Sequence, residues 1–300
     1  MSQTNRKKIF LNQWKAYKEV IEEALSQALE GSSCCQEKVI EAMRYSLLGG
    51  GKRIRAILVL EFARMGGVSV QQAMPVACAL EMIHAYSLIH DDLPCMDDDA
   101  MRRGKPSCHI QFGEAIALLA GDGLLTCAFE TAFRAADDLP APRVLAAAKR
   151  LSECAGYRGM IGGQVIDLES EGKKIDVHTL EKMYRLKTGA LLEASCVSGC
   201  LLAGCEDKIA SAENYARFLG LAFQIVDDIL DVTGDQSLLG KPVGSDAANH
   251  KNTFVSLFGL EKSRSMAKSY TEKALRQLEL LGEAEGFLAD LTDALLNRLI

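Results

Sequence analysis

Apolar residues recur every three to four positions along almost the whole chain, the spacing of helices with one buried face. The strict alternation of strands is nearly absent, Ala, Leu, Glu and Lys abound, and the 300 residues include only six prolines. The pattern predicts an all-α protein. Helices are expected over 5–30, 35–48, 51–66, 69–92, 109–137, 141–156, 178–204, 207–233 and 260–299, the last broken near Gly282–Gly286. Gly49 to Gly51 and Gly66-Gly67 read as helix stops, and Ser69 and Asp207 as N-terminal caps or first-turn residues. Three longer connections, 93–108, 167–177 and 234–253, are polar and Gly- or Pro-bearing, as binding loops often are. No repeat or linker interrupts the pattern, so residues 1–300 are expected to form a single domain.

Two of these connections begin at clusters of aspartate that grow out of apolar helices. The first is Asp91-Asp92-Leu93-Pro94-Cys95-Met96-Asp97, the second Asp227-Asp228-Ile229-Leu230-Asp231. Carboxylates are costly in apolar surroundings unless a positive charge compensates them. On a helix, His84, Ser87 and Asp91 fall in one stripe, and Pro94 should end the helix just after Asp92. Asp91 then projects from the negative end of a helix dipole, a penalty that a bound cation would reverse. In the second cluster Phe223, Gln224, Asp227, Asp228 and Asp231 are expected on one face, with Ile225, Ile229 and Val232 on the other. A solvated acidic face is the plain alternative for either cluster taken alone. Their pairing points to a shared, cation-loaded site.

The donor set is all carboxylate oxygen, with no His or Cys at ligand spacing. That composition suits Mg²⁺, or Mn²⁺, rather than zinc or copper. Mg²⁺ commonly bridges one or two carboxylates to phosphate, which makes a phosphorylated ligand the expected partner. Basic residues stand in the right places. Gly49-Gly50-Gly51-Lys52-Arg53-Ile54-Arg55 resembles a phosphate cradle opening a helix, although it is no Walker A loop. Arg102-Arg103-Gly104-Lys105 follows the first acidic loop, Lys187-Thr188-Gly189 interrupts a helix, and Lys241 and Lys251 flank the last connection.

Composition narrows the classes. The net charge is −6 and Lys and Arg are dispersed, which argues against nucleic acid as partner. Apolar runs such as Ile54–Phe62 and Ile116–Ala120 are too short to cross a bilayer, and the first 18 residues are polar and basic, unlike a secretory leader. A cytoplasmic chain without an integral membrane segment is expected. Its ten cysteines then read as reduced, small buried hydrophobes.

With these elements in their order, Gly49–Arg55, His84–Arg103, Gly162–Asp167, Lys187-Thr188 and Phe223–Asp231, the chain resembles the short-chain trans-prenyl diphosphate synthases, and among them the bacterial farnesyl type. The resemblance covers nearly the whole chain. It implies a helical bundle around a deep central cavity, usually homodimeric, with the two aspartate motifs facing each other across its mouth. It implies Asp91, Asp97 and Asp227 as principal Mg²⁺ ligands, supported by Asp92, Asp228 and Asp231. An allylic diphosphate would lie against Arg102, Lys187 and Lys241, with Lys251 near, and isopentenyl diphosphate against Lys52, Arg55, His84 and Arg103. Thr188 and Gln224 would border the reacting carbons. The implied activity is head-to-tail condensation of isopentenyl diphosphate with dimethylallyl or geranyl diphosphate, giving farnesyl diphosphate. Tyr86, five residues before Asp91 and so about 7–8 Å deeper along the helix, would be the floor that stops the product at C15, beside the small Ser87. An ordinary core tyrosine is the other reading. A C20 synthase, a terpene cyclase or head-to-head synthase, and a non-catalytic helical subunit are the rival functions; the all-Asp second cluster and the basic cradle speak against the cyclase, and two intact motifs against the subunit.

Overall fold

A computed structural model of the chain describes residues 3–30, 36–234 and 251–296. The described residues contain fourteen α-helices: α1 Gln3–Ala28, α2 Glu37–Leu47, α3 Ile54–Arg64, α4 Val70–Asp91, α5 Cys108–Phe112, α6 Glu114–Phe133, α7 Ala141–Ala155, α8 Met160–Ser170, α9 Val177–Tyr184, α10 Ala190–Ala203, α11 Ile209–Thr233, α12 Phe254–Phe258, α13 Leu260–Leu281 and α14 Phe287–Leu296. The all-α expectation holds.

The bundle is organised around helices that are apolar on every side, which are stable only when enclosed. On α4, Ala73, Val76, Ala77, Leu80, Met82 and Ile83 are fully buried, and α10 is buried nearly throughout. Accordingly α4 packs between α3 and α6, and α10 lies against α3, α7 and α11. The main core spans α1 to α7, α10, α11, α13 and α14. A smaller one gathers Leu180, Met183, Tyr184, Leu221, Ile225, Phe254 and Ala267. Helix α11 contributes to both and pairs with α13 along its length.

Local chemistry explains most of the boundaries. Ser69 caps α4 reciprocally: its hydroxyl accepts from Gln72 N–H at 3.3 Å, and the Gln72 side chain accepts from Ser69 N–H at 3.1 Å. Gly282, left-handed at φ 80°, ends α13 as expected. The single helix expected over 109–137 is instead two, because Gly113 turns the chain at φ 86°. Four elements depart from the sequence reading, one of them the short α12, which lies between the helices expected over 207–233 and 260–299. Residues 160–170 form α8, although Gly162-Gly163 lower helix propensity there. Residues 101–102 and 105–106 pair as a short antiparallel hairpin, whose central Arg103 and Gly104 both have positive φ, 53° and 75°, the signature of a primed turn. Between α9 and α10, Arg185–Gly189 forms one π turn.

Two stretches, Glu114–Asp137 and Val177–Ala203, are long and apolar enough to cross a membrane by length and composition, where the sequence reading expected none. The second is mostly enclosed by the fold, while the first leaves Leu118, Leu119 and Phe133 exposed. Among the described cysteines Cys78, Cys108, Cys154, Cys196 and Cys200 are buried, as expected, whereas Cys95 is exposed.

Candidate active site

The glycine-rich loop is built around Arg53. Its backbone is left-handed, φ 54° and ψ 31°, and its side chain is only 3% exposed. Its guanidinium donates to Glu22 on α1 at 2.7 and 3.0 Å, to Glu81 on α4 at 3.2 Å and to the Leu47 carbonyl ending α2 at 2.7 Å. Glu81 also accepts from the Ala56 N–H at the start of α3, 3.2 Å. Trp14 on α1 donates to the Lys52 carbonyl at 3.2 Å. Three helices thus converge on the loop and place Lys52 and Arg55 on either side of a buried clamp.

That clamp borders a cleft of about 50 Å³, to whose lining Arg53 and Glu81 both belong. Its walls include Gly49, Arg53, His84, Leu88, Asp92 and Arg103. Arg103 reaches back to the Gly50 carbonyl. Arg55 has a buried Nε with no hydrogen-bond partner among the described residues. Burial pushes the Arg55 guanidinium down to about 10; Glu81 works against that shift and Arg103 adds to it. Burial and then Arg53 lower Arg103 as well. His84 is held far below the usual imidazole range by burial and by Arg55, Arg103, Arg102 and Arg53 in turn. It is therefore neutral at physiological pH and keeps an N–H to donate. Positive charge exceeds negative charge here, the condition of an anion site.

The acidic edge begins where α4 ends. Asp97 returns from the loop, its N–H bonded to the Asp91 carbonyl at 2.9 Å. Burial pushes the Asp91 carboxyl up to about 6; Lys187 opposes this, and Asp97 and Asp92 reinforce it. Asp92 is 1% exposed and locked to Arg102, whose Nε and Nη2 lie 2.8 and 2.5 Å from its oxygens. Arg102 thus fastens the hairpin to the end of α4. Ser87 turns its hydroxyl to the His84 carbonyl, 2.9 Å.

A chain of contacts leads from this edge to the second cluster. Gln164 on α8 donates to Asp91. Lys187 in the π turn donates to Asp167 on α8 at 2.6 Å, and α8 approaches so closely that a Cβ on Gly163 would lie 2.2 Å from the Lys187 nitrogen. Thr188 donates to Gln224 on α11 at 3.1 Å, one turn before Asp227. Lys251 lies 3.5 Å from Asp97. Lys241 lies outside the described residues.

The expected facing of the second cluster needs correction. Asp228 and Asp231 are 3% and 1% exposed, while Val232 is 56% exposed. Asp228 follows Ile225 by three residues and continues its buried stripe. It accepts from the Tyr184 hydroxyl at 2.9 Å and from Phe254 N–H at 2.8 Å, joining α11 to α9 and α12. Asp227 and Gln224 remain half-buried on the neighbouring flank. Among the described residues no three acidic, imidazole or thiol groups are gathered closely enough to share one ion.

A family profile described as "Polyprenyl synthetase" matches residues 36–284. The chain belongs to this family. It is 45% identical over 293 residues to a farnesyl diphosphate synthase of Geobacillus stearothermophilus, covering 95% of this chain and 96% of the relative. It is 42% identical over 283 residues to a geranylgeranyl diphosphate synthase of Cyanophora paradoxa, covering 94% of each. A solved geranyltransferase from Legionella pneumophila matches with a TM-score of 0.86 at 34% identity, over 97% of both chains. In this polyprenyl synthetase, Trp14 and Glu22, which hold the glycine-rich loop, lie before the matched span. Sequence reasoning missed them, along with the roles of Arg53, Glu81, Gln164, Asp167 and Tyr184. Their traces in sequence are Arg53 inside the Gly49–Arg55 motif and the Gly162–Asp167 stretch, which holds Gln164 and Asp167; both carried resemblance without a task assigned to these residues.

Proposed function

We propose that this prenyltransferase joins isopentenyl diphosphate head-to-tail to dimethylallyl and then geranyl diphosphate, releasing diphosphate and a proton and ending at farnesyl diphosphate. The observation that carries the reading is the cationic cleft at the end of α4, where Arg53, Arg102, Arg103 and a neutral His84 line one cavity with Asp92, while Arg55, with an orphaned buried Nε, acts on His84 and is itself lowered by Arg103. An anion entering the cleft would restore both lowered guanidinium groups. Lys52, Arg55, His84 and Arg103 are assigned to isopentenyl diphosphate, and Lys187, Lys241 and Lys251 to the allylic diphosphate. Arg102 is assigned to the same diphosphate through its hold on Asp92.

The acidic edge fits Mg²⁺ by its chemistry. Asp91 is a carboxylate whose charge burial penalises and a cation would stabilise, and Mg²⁺ needs only one or two protein oxygens beside water and phosphate. Asp91 and Asp97 are the ligands assigned on this edge and Asp227 the ligand assigned on α11, with Asp92, Asp228 and Asp231 in support. When bound, it supplies charge neutralisation on the departing diphosphate. The chain's own residues do the rest. Lys187, held by Asp167, places a fixed positive charge where the leaving group's charge develops. The cradle aligns the isopentenyl double bond with the allylic carbon, which removes much of the entropic barrier. Leu88, Ala85 and Ile89 in the cleft wall keep water from the allylic cation. The new carbon–carbon bond forms at that carbon, and the proton leaves to the released diphosphate.

Tyr86, 5% exposed, is the proposed floor below the first motif, favouring C15 over C20. The chain is proposed to act as one cytoplasmic domain, with α11 shared by both cores. A homodimer is proposed across the exposed face of α6, where Leu118, Leu119 and Phe133 are 46%, 54% and 50% exposed. Chromatography of products made from dimethylallyl and geranyl diphosphate with excess isopentenyl diphosphate tests catalysis and length together. Farnesyl diphosphate is expected; a C20 end product refutes the floor, and no turnover with Mg²⁺ or Mn²⁺ refutes the enzyme.

A further inference from the structure

The side chain that should set the product length is held by no hydrogen bond among the described residues. The Tyr86 hydroxyl is buried and has no partner among the described residues. Only packing fixes its ring, and a ring set by packing alone moves when its neighbour is removed. That neighbour is His90, one turn further along α4 and on the same side of the helix. The two rings meet edge to face, with centroids 5.7 Å apart and an interplanar angle of 76°.

His90 is itself positioned from α6. Its Nε2 lies 3.1 Å from the Leu118 carbonyl oxygen, which can only accept, so Nε2 carries the hydrogen. The ring fits a notch that exists because residue 121 is glycine: a Cβ there would lie 2.1 Å from His90 Nε2 and 2.4 Å from Cδ2. Asp122, the next residue, has its carboxylate 4.0 Å from the same nitrogen. The notch, the carbonyl and the edge-to-face contact leave the imidazole one seat, and that seat braces the phenol.

We propose that His90, seated at Gly121 and Leu118, is a positioning residue for product specificity: it holds the Tyr86 ring across the growing chain's path. The inference rests on the reading of Tyr86 as the floor. It assigns a specificity task to the residue directly before the first aspartate of the motif, through the side of α4 that faces α6 rather than through the diphosphate site.

The test compares product lengths from geranyl diphosphate and excess isopentenyl diphosphate for the full-length wild type, Tyr86→Ala, His90→Ala and the double variant. Without the brace the phenol can leave its rotamer, and His90→Ala is expected to raise the C20 to C15 ratio by roughly tenfold, the scale on which apolar pockets discriminate by size. Because His90 acts through Tyr86, the double variant should match Tyr86→Ala alone rather than exceed it. His90→Phe, which keeps a ring in the notch, should restore most of the C15 product. If His90→Ala does not fold, His90→Gln, with an N–H for Leu118 but no ring, carries the same expectation. A lengthened product in Tyr86→Ala with unchanged product in the ringless His90 variant overturns the brace alone. Additive lengthening in the double variant overturns it too. Unchanged product in both single variants overturns the floor and the brace with it.

Discussion

Replacing Arg53 should damage the phosphate cradle more than replacing any exposed lysine around it. Arg53→Ala strands Glu81, which is 3% exposed and keeps only the Ala56 N–H as a hydrogen-bond partner among the described residues. It also removes the donor from the Leu47 carbonyl. Removing one member of a buried ion pair costs about 3–5 kcal/mol; the Glu22 half, with a side chain 32% exposed, adds little. The backbone gives an internal control. A left-handed alanine costs about 1–2 kcal/mol that glycine does not incur, and the greater freedom of glycine in the unfolded chain returns about 0.4–1. Arg53→Gly should therefore be more stable than Arg53→Ala by on the order of 0.5–1 kcal/mol. Urea unfolding at constant m-value reads both numbers. In kinetics, the isopentenyl diphosphate KM should rise far more than the allylic KM, because Lys52 and Arg55 flank the lost anchor. A loss under about 1 kcal/mol, or a glycine variant no better than alanine, would refute the view of Arg53 as a strained, buried anchor.

Asp91→Ala and Asp227→Ala should each lower kcat by at least about a thousandfold with an unchanged circular dichroism spectrum; near-normal turnover in both removes the metal assignment. Because the folded Asp91 carboxyl titrates at about 6 rather than 3.8, the folded state keeps a proton that the unfolded chain releases. In metal-free buffer stability should accordingly fall as pH rises from about 4 to about 6, by at most about 3 kcal/mol and less because Asp91 is only partly enclosed. Asp91→Asn should remove that slope in matched urea titrations, and an unchanged slope contradicts the burial argument. Gly163→Ala forces a methyl onto the Lys187 backbone, which should cost about 1–3 kcal/mol and lower turnover by shifting Lys187; full activity would show that α8 has room to move.

Periodicity made the long helices legible, and helix geometry correctly put Asp91 in the last turn of α4. It failed where the deciding interaction is remote in sequence. Residues 160–170 carry two glycines that weaken a helix, and α8 forms there because Gly163 lets it lie directly on the π turn. Helical phasing put Asp228 and Asp231 on one acidic face with Gln224 and Asp227, yet Tyr184 and Phe254 N–H satisfy Asp228 in the interior from elements 44 and 26 residues away. Val232 is exposed for the complementary reason. The cradle's cations were visible as a motif, but Arg53 was indistinguishable from its neighbours, since its partners Glu22 and Glu81 lie 31 and 28 residues off.

The π turn at Arg185–Gly189 bears on which length changes the chain can survive. A wider turn of this kind accommodates one residue more than an α-helix would over the same rise. Deleting a single residue there could leave an unbroken, better-formed helix, and every side chain on one side of the deletion would swing by about 100° relative to the other. Thr188 would lose Gln224, or Lys187 would lose Asp167, because both cannot be kept once the turn closes. The segment is rich in helix formers and would tolerate many substitutions, but in residue number it is rigid. Insertions and deletions among homologues should therefore collect in the outer connections and spare this helical stretch, the reverse of what its regular secondary structure alone would suggest.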